Sequence, residues 1–127
     1  MARSRASAKS AGSTFERQIA DILALHVDDR IDRKVKTGAL DKGDIANLRV
    51  GGQKLTVEAK NYGGQIKAAE WAAEGAVERV NDGGLAWVVI AKRRGTTDPL
   101  RQWVLTEVGE LIALINGNRA HMDVEEP

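Results

Sequence analysis

The chemistry in this sequence centres on Asp44, behind Gly43, and on Glu58 and Lys60, the first of which follows fourteen residues later. In an extended strand, side chains alternate between faces, so residues 54, 56, 58 and 60 share one side and Leu55, Val57 and Ala59 the other. Glu58 and Lys60 are therefore neighbours. Asn61-Tyr62-Gly63-Gly64 breaks the chain just after Lys60, which puts the pair at a strand end open to a substrate. Two carboxylates from adjacent strands can hold a divalent ion that polarises a phosphate and acidifies a bound water. The carbonyl of Ala59 can add an oxygen ligand, and the Lys60 ammonium can orient the attacking water or stabilise charge on the phosphate.

Composition narrows the choice of metal. There is no cysteine, and the two histidines, His26 and His121, lie far apart. Thiolate sites, disulfides and cysteine nucleophiles are excluded, and an all-oxygen ligand set favours Mg²⁺, with Mn²⁺ as the alternative, over zinc. No stretch approaches the roughly 18 apolar residues of a membrane span, and the basic N-terminus lacks an apolar signal-peptide region. An intracellular, cytoplasmic protein is expected.

The elements that position these residues follow from periodicity. Phe15, Ile19, Ile22 and Leu23 form a helical stripe behind Ser13-Thr14-Phe15-Glu16, which has capping-box spacing, so a helix is expected over 14–26. Strands are expected over 30–36, 44–50 and 54–60, the last two joined at Gly51-Gly52 as a hairpin. A helix over about 65–81 follows, with Ile66, Ala69, Ala73, Ala76, Val77 and Val80 as its apolar face. The run 85–91 reads as a strand covered on both sides, 101–105 as a further strand, and the region from Thr106 as a helix with Val108, Leu111, Ile112 and Ile115 inward. The order α-β-β-β-α-β-β-α describes one α/β domain on a central mixed sheet flanked by helices. Residues 1–12 read as a flexible basic arm, 13–116 as the catalytic domain and 117–127 as a loose acidic tail.

Register sets a condition. If Val50 and Gln53 flank a regular two-residue turn, Asp44 falls opposite Ala59 and points away from Glu58. A shared site then requires a bulge or an odd-length loop that shifts this pairing by one, between residues 49 and 54 or near Asp44 itself. Without it, Asp44 is a turn residue and Glu58–Lys60 a surface pair.

The net charge of +1 conceals an asymmetry: residues 30–67 carry nine Lys/Arg against four acids, and residues 106–127 one Arg against five acids. A basic middle suits a polyanion or is a solvated face.

Helix, Gly43-Asp44-Ile45, hairpin, Glu58-Ala59-Lys60 and helix together resemble the PD-(D/E)XK nuclease superfamily, with Gly43 in place of the motif's proline. More narrowly, Gly12-Ser13-Thr14-Phe15-Glu16-Arg17, Lys36-Thr37-Gly38, Asp44 and Glu58-Ala59-Lys60 resemble the archaeal-type Holliday junction resolvases and their bacteriophage counterparts, over roughly residues 12–105. The resemblance implies a restriction-endonuclease-like domain and a metal-dependent endodeoxyribonuclease that resolves four-way DNA junctions as a two-fold homodimer, in the host cytoplasm if phage-encoded. It further implies that Asp44, Glu58 and the Ala59 carbonyl ligate magnesium, that Lys60 assists the water, and that Glu16 completes the site. Arg17 and the segment Lys36–Thr37 would contact DNA. A repair nickase, a single-strand or restriction-type nuclease, and a non-catalytic DNA-binding module are the alternatives.

Other residues keep two readings. Glu16 either caps its helix through the Ser13 backbone or joins the site. Arg33, Lys42 and the Lys92-Arg93-Arg94 run either bind DNA phosphates or are solvated. Trp71, with Lys67, Glu74 and Glu78 one turn away, is expected on an exposed helix face as a dimer or base-stacking contact, unless the sheet or the 61–64 loop covers it. Trp87 is expected in the core, and Trp103 is open.

Overall fold

A computed structural model of the chain, describing residues 3–36 and 38–123, orders it as α1 (Arg5–His26), β1 (Asp32–Arg33), β2 (Ile45–Ala46), β3 (Arg49–Val50), β4 (Gln53–Lys60), α2 (Ala68–Asp82), β5 (Ala86–Ala91), β6 (Trp103–Leu105) and α3 (Val108–Asn116). Four strands form a mixed sheet in the order β3-β4-β5-β6, and β1 and β2 form a separate antiparallel pair. β4 and β5 run parallel, with Glu58 beside Val89 and Lys60 beside Ala91. A parallel pair needs a crossover, and α2 supplies it. The α/β domain on a mixed sheet is as expected, except that the second strand is divided in two.

That division takes the chain out of the regular ladder before Asp44, by a shift of two positions and not the single position that would turn Asp44 onto the Glu58 face. The hairpin is regular at its turn, with Val50 opposite Gln53 and Arg49 opposite Lys54, and the Leu55 amide still donates to the Leu48 carbonyl at 3.0 Å. At Asn47 the backbone turns left-handed, φ +67, a conformation asparagine tolerates better than most residues. Beyond it the Asp44 amide donates to the Val57 carbonyl at 2.7 Å, so Asp44 is not paired with Ala59. The chain leaves β4, and β2 pairs instead with β1, Arg33 opposite Ile45. Gly43 takes φ +88 where it crosses β4, and a Cβ there would lie 2.9 Å from the Val57 carbonyl oxygen. Proline, with its φ near −65°, has no place at that crossing.

The core lies on both faces of β4 and β5. On one, Phe15 and Ile19 of α1 pack with Ile31, Ile45, Val57 and Ala59. On the other, Trp71 of α2 packs with Trp87, Val89 and Ala91. Trp71 is 1% exposed, which corrects the expectation of a surface contact; α2 is rotated so that Trp71, Gly75, Glu78 and Asp82 face inward. Gly75 permits this, because a Cβ there would lie 2.6 Å from the Trp87 ring. The expected apolar face, including Val77 and Val80, points outward, as do Val108, Leu111 and Ile115 of α3.

The N-terminal segment is not an arm from Arg5 onward: α1 begins nine residues before the expected helix, capped by Ser4, whose hydroxyl accepts from the Ser7 amide at 3.1 Å. Alanine, lysine and arginine are good helix formers, but this stretch overhangs the core and carries no apolar stripe to reveal it. Gly12 is interior to this helix with nothing within 4 Å of a Cβ built on it. Gly12→Ala is therefore expected to stabilise the protein by about 0.5–1 kcal/mol. Gly75→Ala has the same propensity gain but overpacks Trp87, a cost of about 1–3 kcal/mol, and is expected to destabilise. Thermal unfolding of the two variants checks both signs; a neutral Gly12→Ala would mean that this stretch is not helical.

The tail is likewise anchored through Asp123. The Gln53 side-chain amide donates to the Gly117 carbonyl at 2.7 Å, and Arg119 pairs with the buried Glu110.

Candidate active site

Residues converge at the C-terminal end of β4 in a cleft of about 750 Å³, lined by Glu16 and Gly12 of α1, by Lys36 and Asp44, and by Glu58, Ala59 and Lys60. Asp44 arrives over the edge of β4 because the chain breaks at Asn47. Its side chain is 2% exposed; one oxygen accepts from the Ala59 amide at 2.8 Å, the other from the Lys36 ammonium at 2.6 Å. A residue's N–H and C=O leave an extended strand on the same edge, and Lys60, the next residue, faces the opposite way, its carbonyl accepting from Lys92 of the β5 side at 2.9 Å. The Ala59 carbonyl is thus directed to the edge where Asp44 lies.

Glu58 and Lys60 share a face, as alternation requires, but α2 covers that face. Helix positions four apart advance about 6 Å and strand positions two apart about 6.6 Å, so Glu74, Glu78 and Asp82 step along α2 in register with Lys60, Glu58 and Thr56. The outer rungs are complementary. Lys60 pairs with Glu74 at 2.7 Å, and Thr56 donates to Asp82 at 2.8 Å, where Lys34 also pairs at 2.7 Å. The middle rung sets carboxyl against carboxyl. Glu58 is 7% and Glu78 4% exposed, and each has a buried oxygen, Oε2, without a hydrogen-bond partner.

The electrostatics follow from that burial. Desolvation, the hydrogen bond Glu58 donates to Glu78, and the charges of Asp44 and Glu78 push the Glu58 carboxyl far above the ordinary carboxylate range. Burial also raises Glu78, which as acceptor of that bond is raised less. At Lys60, burial disfavours the charge, but the Glu74 hydrogen bond and the charges of Glu58 and Glu74 outweigh it and push the ammonium up to about 12. Lys60 is therefore held as a cation between Glu58 and Glu74.

Glu16 does not cap its helix, because Ser13 is interior to α1. Its carboxylate pairs with Arg33 at 3.2 Å, and burial together with the charge of Asp44 raises it. Glu16, Asp44, Glu58 and Lys60 are thus brought to one cleft, and Lys36, expected to touch DNA, stands among them as the ion-pair partner of Asp44.

The remaining cations divide. Arg17 lies off the cleft, paired with Asp32 at 2.6 Å and Asp21 at 3.0 Å. The Lys42 side chain is exposed on the loop before Asp44. The Lys92 ammonium donates to the Arg93 and Thr96 carbonyls and closes its own turn. Arg93 stacks 4.2 Å from the centre of the Trp103 ring, and Arg94 packs on Gly64 and lines a separate surface pocket with Arg93 and Arg101. Thr37 lies outside the described residues. Arg3, expected within the flexible basic arm, lines the cleft and donates to the Asn61 carbonyl at 3.0 Å.

An all-oxygen set fits a hard divalent cation. Among the described residues, the carboxylates of Asp41, Glu58 and Glu78 have oxygens within 4.8 Å of one another. Sequence reading missed Asp41 and Glu78. The signal was present as acids four apart at 74, 78 and 82 beside Trp71, but the apolar period of Val77 and Val80 outweighed it. No family model, curated protein or solved structure matches the chain.

Proposed function

We propose that this chain is a metal-dependent DNA endonuclease with a restriction-endonuclease-like domain, and within that class a resolvase of four-way DNA junctions. The observation that carries the reading is the break at Asn47, which delivers Asp44 to the cleft that holds Glu58, Ala59, Lys60 and Glu16. Asp44, Glu58 and the Ala59 carbonyl would hold Mg²⁺, with Mn²⁺ able to replace it. A bound ion of this kind supplies polarisation of the scissile phosphate and a water acidic enough to attack near neutral pH.

The chain's own residues do the rest. Lys60, charged and held by Glu74, faces the negative charge that develops on the phosphate. Lys36 neutralises Asp44 until a cation takes its place. Glu16, raised by burial and by Asp44, is set to accept a hydrogen bond from the attacking water. Arg3 and Lys36 line the cleft and suit a DNA backbone. The outward apolar residues of α2 and α3, Val77, Val80, Val108, Leu111 and Ile115, offer surface for a second copy, and a two-fold dimer would present two equivalent sites to a near two-fold junction.

The test is cleavage of synthetic four-way junctions, flaps, linear duplex and single strands in Mg²⁺ and in Ca²⁺. Paired symmetric nicks in junctions alone, in Mg²⁺, are expected. Equal cutting of linear duplex rejects the resolvase in favour of another nuclease, and binding without cutting in any metal leaves a DNA-binding module.

A further inference from the structure

The rungs between α2 and β4 differ in one respect. Lys60 faces Glu74, and Thr56 faces an Asp82 that also takes Lys34. Between them Glu58 faces Glu78, acid against acid, with Oε2 of each buried and without a partner. The Lys60 ammonium, held by Glu74 at 2.7 Å, also stands 3.7 Å from Oε1 of Glu58, but among the described residues no ion pair includes Glu78. Two buried carboxyls with one shared counter-charge are costly, and the neighbouring rungs avoid this. Asp41 closes on the same point from the loop before Asp44, its oxygens within 4.8 Å of the other two carboxylates. That loop is tied to α2 through the Asn81 amide, which donates to the Asp41 carbonyl at 2.9 Å. Asp41 is exposed whereas Glu58 and Glu78 are buried, so the group is reached from solvent at its Asp41 side.

We propose that Asp41, Glu58 and Glu78 form a second divalent-cation site that shares Glu58 with the Asp44 site. The two sites lie on different sides of Glu58. Asp44 and the Ala59 carbonyl come from the edge of β4, while Glu78 comes from the helix over its face and Asp41 from the loop between. Carboxylate oxygens alone select a hard ion, magnesium or manganese, over zinc. In two-metal hydrolases the ions stand about 3.5–4 Å apart and clamp the attacking and leaving oxygens of an in-line displacement; a bridging glutamate is the geometry such a pair needs. The inference deepens the nuclease reading and depends on it for the first site alone.

Calorimetric titration of the full chain with MnCl₂ tests it. Two Mn²⁺ per chain are expected for the wild type and one each for Glu78→Gln and Asp44→Asn. Asp41→Asn, which keeps an acceptor for the Gly43 amide that Asp41 binds at 2.9 Å, is expected to weaken one of the two sites at least tenfold and leave the other unchanged. One Mn²⁺ per chain, lost in Asp44→Asn and unaffected by Glu78→Gln and Asp41→Asn, overturns the second site and leaves the first; the Glu58–Glu78 rung then holds only a shared proton. One Mn²⁺ lost in Glu78→Gln and kept in Asp44→Asn upholds the site proposed here and removes Asp44 as a ligand. No binding to the wild type removes both.

Discussion

Glu58→Gln is expected to abolish phosphodiester cleavage while DNA binding measured without divalent ions stays within about twofold of wild type. Glutamine keeps the shape of the side chain and removes the charge that a cation needs. The loss of several kcal/mol of charge stabilisation corresponds to about a thousandfold or more in rate. In the proposed reading, binding to the backbone rests on other cations, Arg3 and Lys36, which line the cleft, so it should survive. Stability supplies the control. A carboxyl whose folded value lies above its unfolded value holds its proton more tightly in the folded chain. Between the ordinary 4.5 and the raised value of Glu58, folded protein keeps a proton that unfolded protein releases, and rising pH favours unfolding across that window. Metal-free wild type should therefore melt lower at pH 8 than at pH 5. Glu58→Gln, with no carboxyl to ionise, should melt above wild type at pH 8, and the gap should narrow toward pH 5. If cleavage, binding and melting temperature all fall together, Glu58 is a structural residue and the site is wrongly placed.

How much of this site the sequence contained depends on how far each relation reaches along the chain. The common face of Glu58 and Lys60 follows from strand alternation alone. The hairpin at Gly51-Gly52 is equally local, and its register stated the condition under which Asp44 could join. Asn47, where the ladder breaks instead, gave no sign of its own; its left-handed backbone is stabilised by the side-chain amide donating to the Arg30 carbonyl at 2.8 Å, seventeen residues away. The face of α2 was misread for the same reason. Helical periodicity ranks residues by hydrophobicity, and Val77 and Val80 outrank Glu74, Glu78 and Asp82, yet β4 offers a lysine, a glutamate and a threonine on the surface that α2 covers. A helix buries what its partner can satisfy, and the partner lies outside the window. The beginning of α1 was invisible for the converse reason: residues 5–12 are helical by propensity and capping, and bury nothing.

Arg119→Ala is expected to destabilise the fold by about 3–5 kcal/mol, a fall in Tm on the order of 10 °C or more. The segment after α3 has the composition of a loose acidic tail, but Arg119 folds back on Glu110. Its guanidinium donates to both oxygens of that carboxylate, at 2.8 and 3.0 Å, and to the Leu85 carbonyl at 2.9 Å. Glu110 is 2% exposed and also accepts from the Trp87 amide at 3.2 Å. Removing the arginine leaves a buried carboxylate with one neutral donor, and the penalty is the desolvation of that charge, not the loss of a surface ion pair. The arrangement also accounts for the orientation of α3: to bring Glu110 inward beside Ala113, the helix turns Val108, Leu111 and Ile115 to the surface. Glu110→Gln in the same background isolates the cause. It removes the charge, keeps an acceptor for the Trp87 amide, and is expected to recover at least half of the lost stability. Thermal and urea unfolding of wild type, the two single variants and the double variant close the cycle. A loss below about 0.5 kcal/mol for Arg119→Ala would mean that the pair is no more than an exposed ion pair, and the tail would then be loose, as its composition suggests.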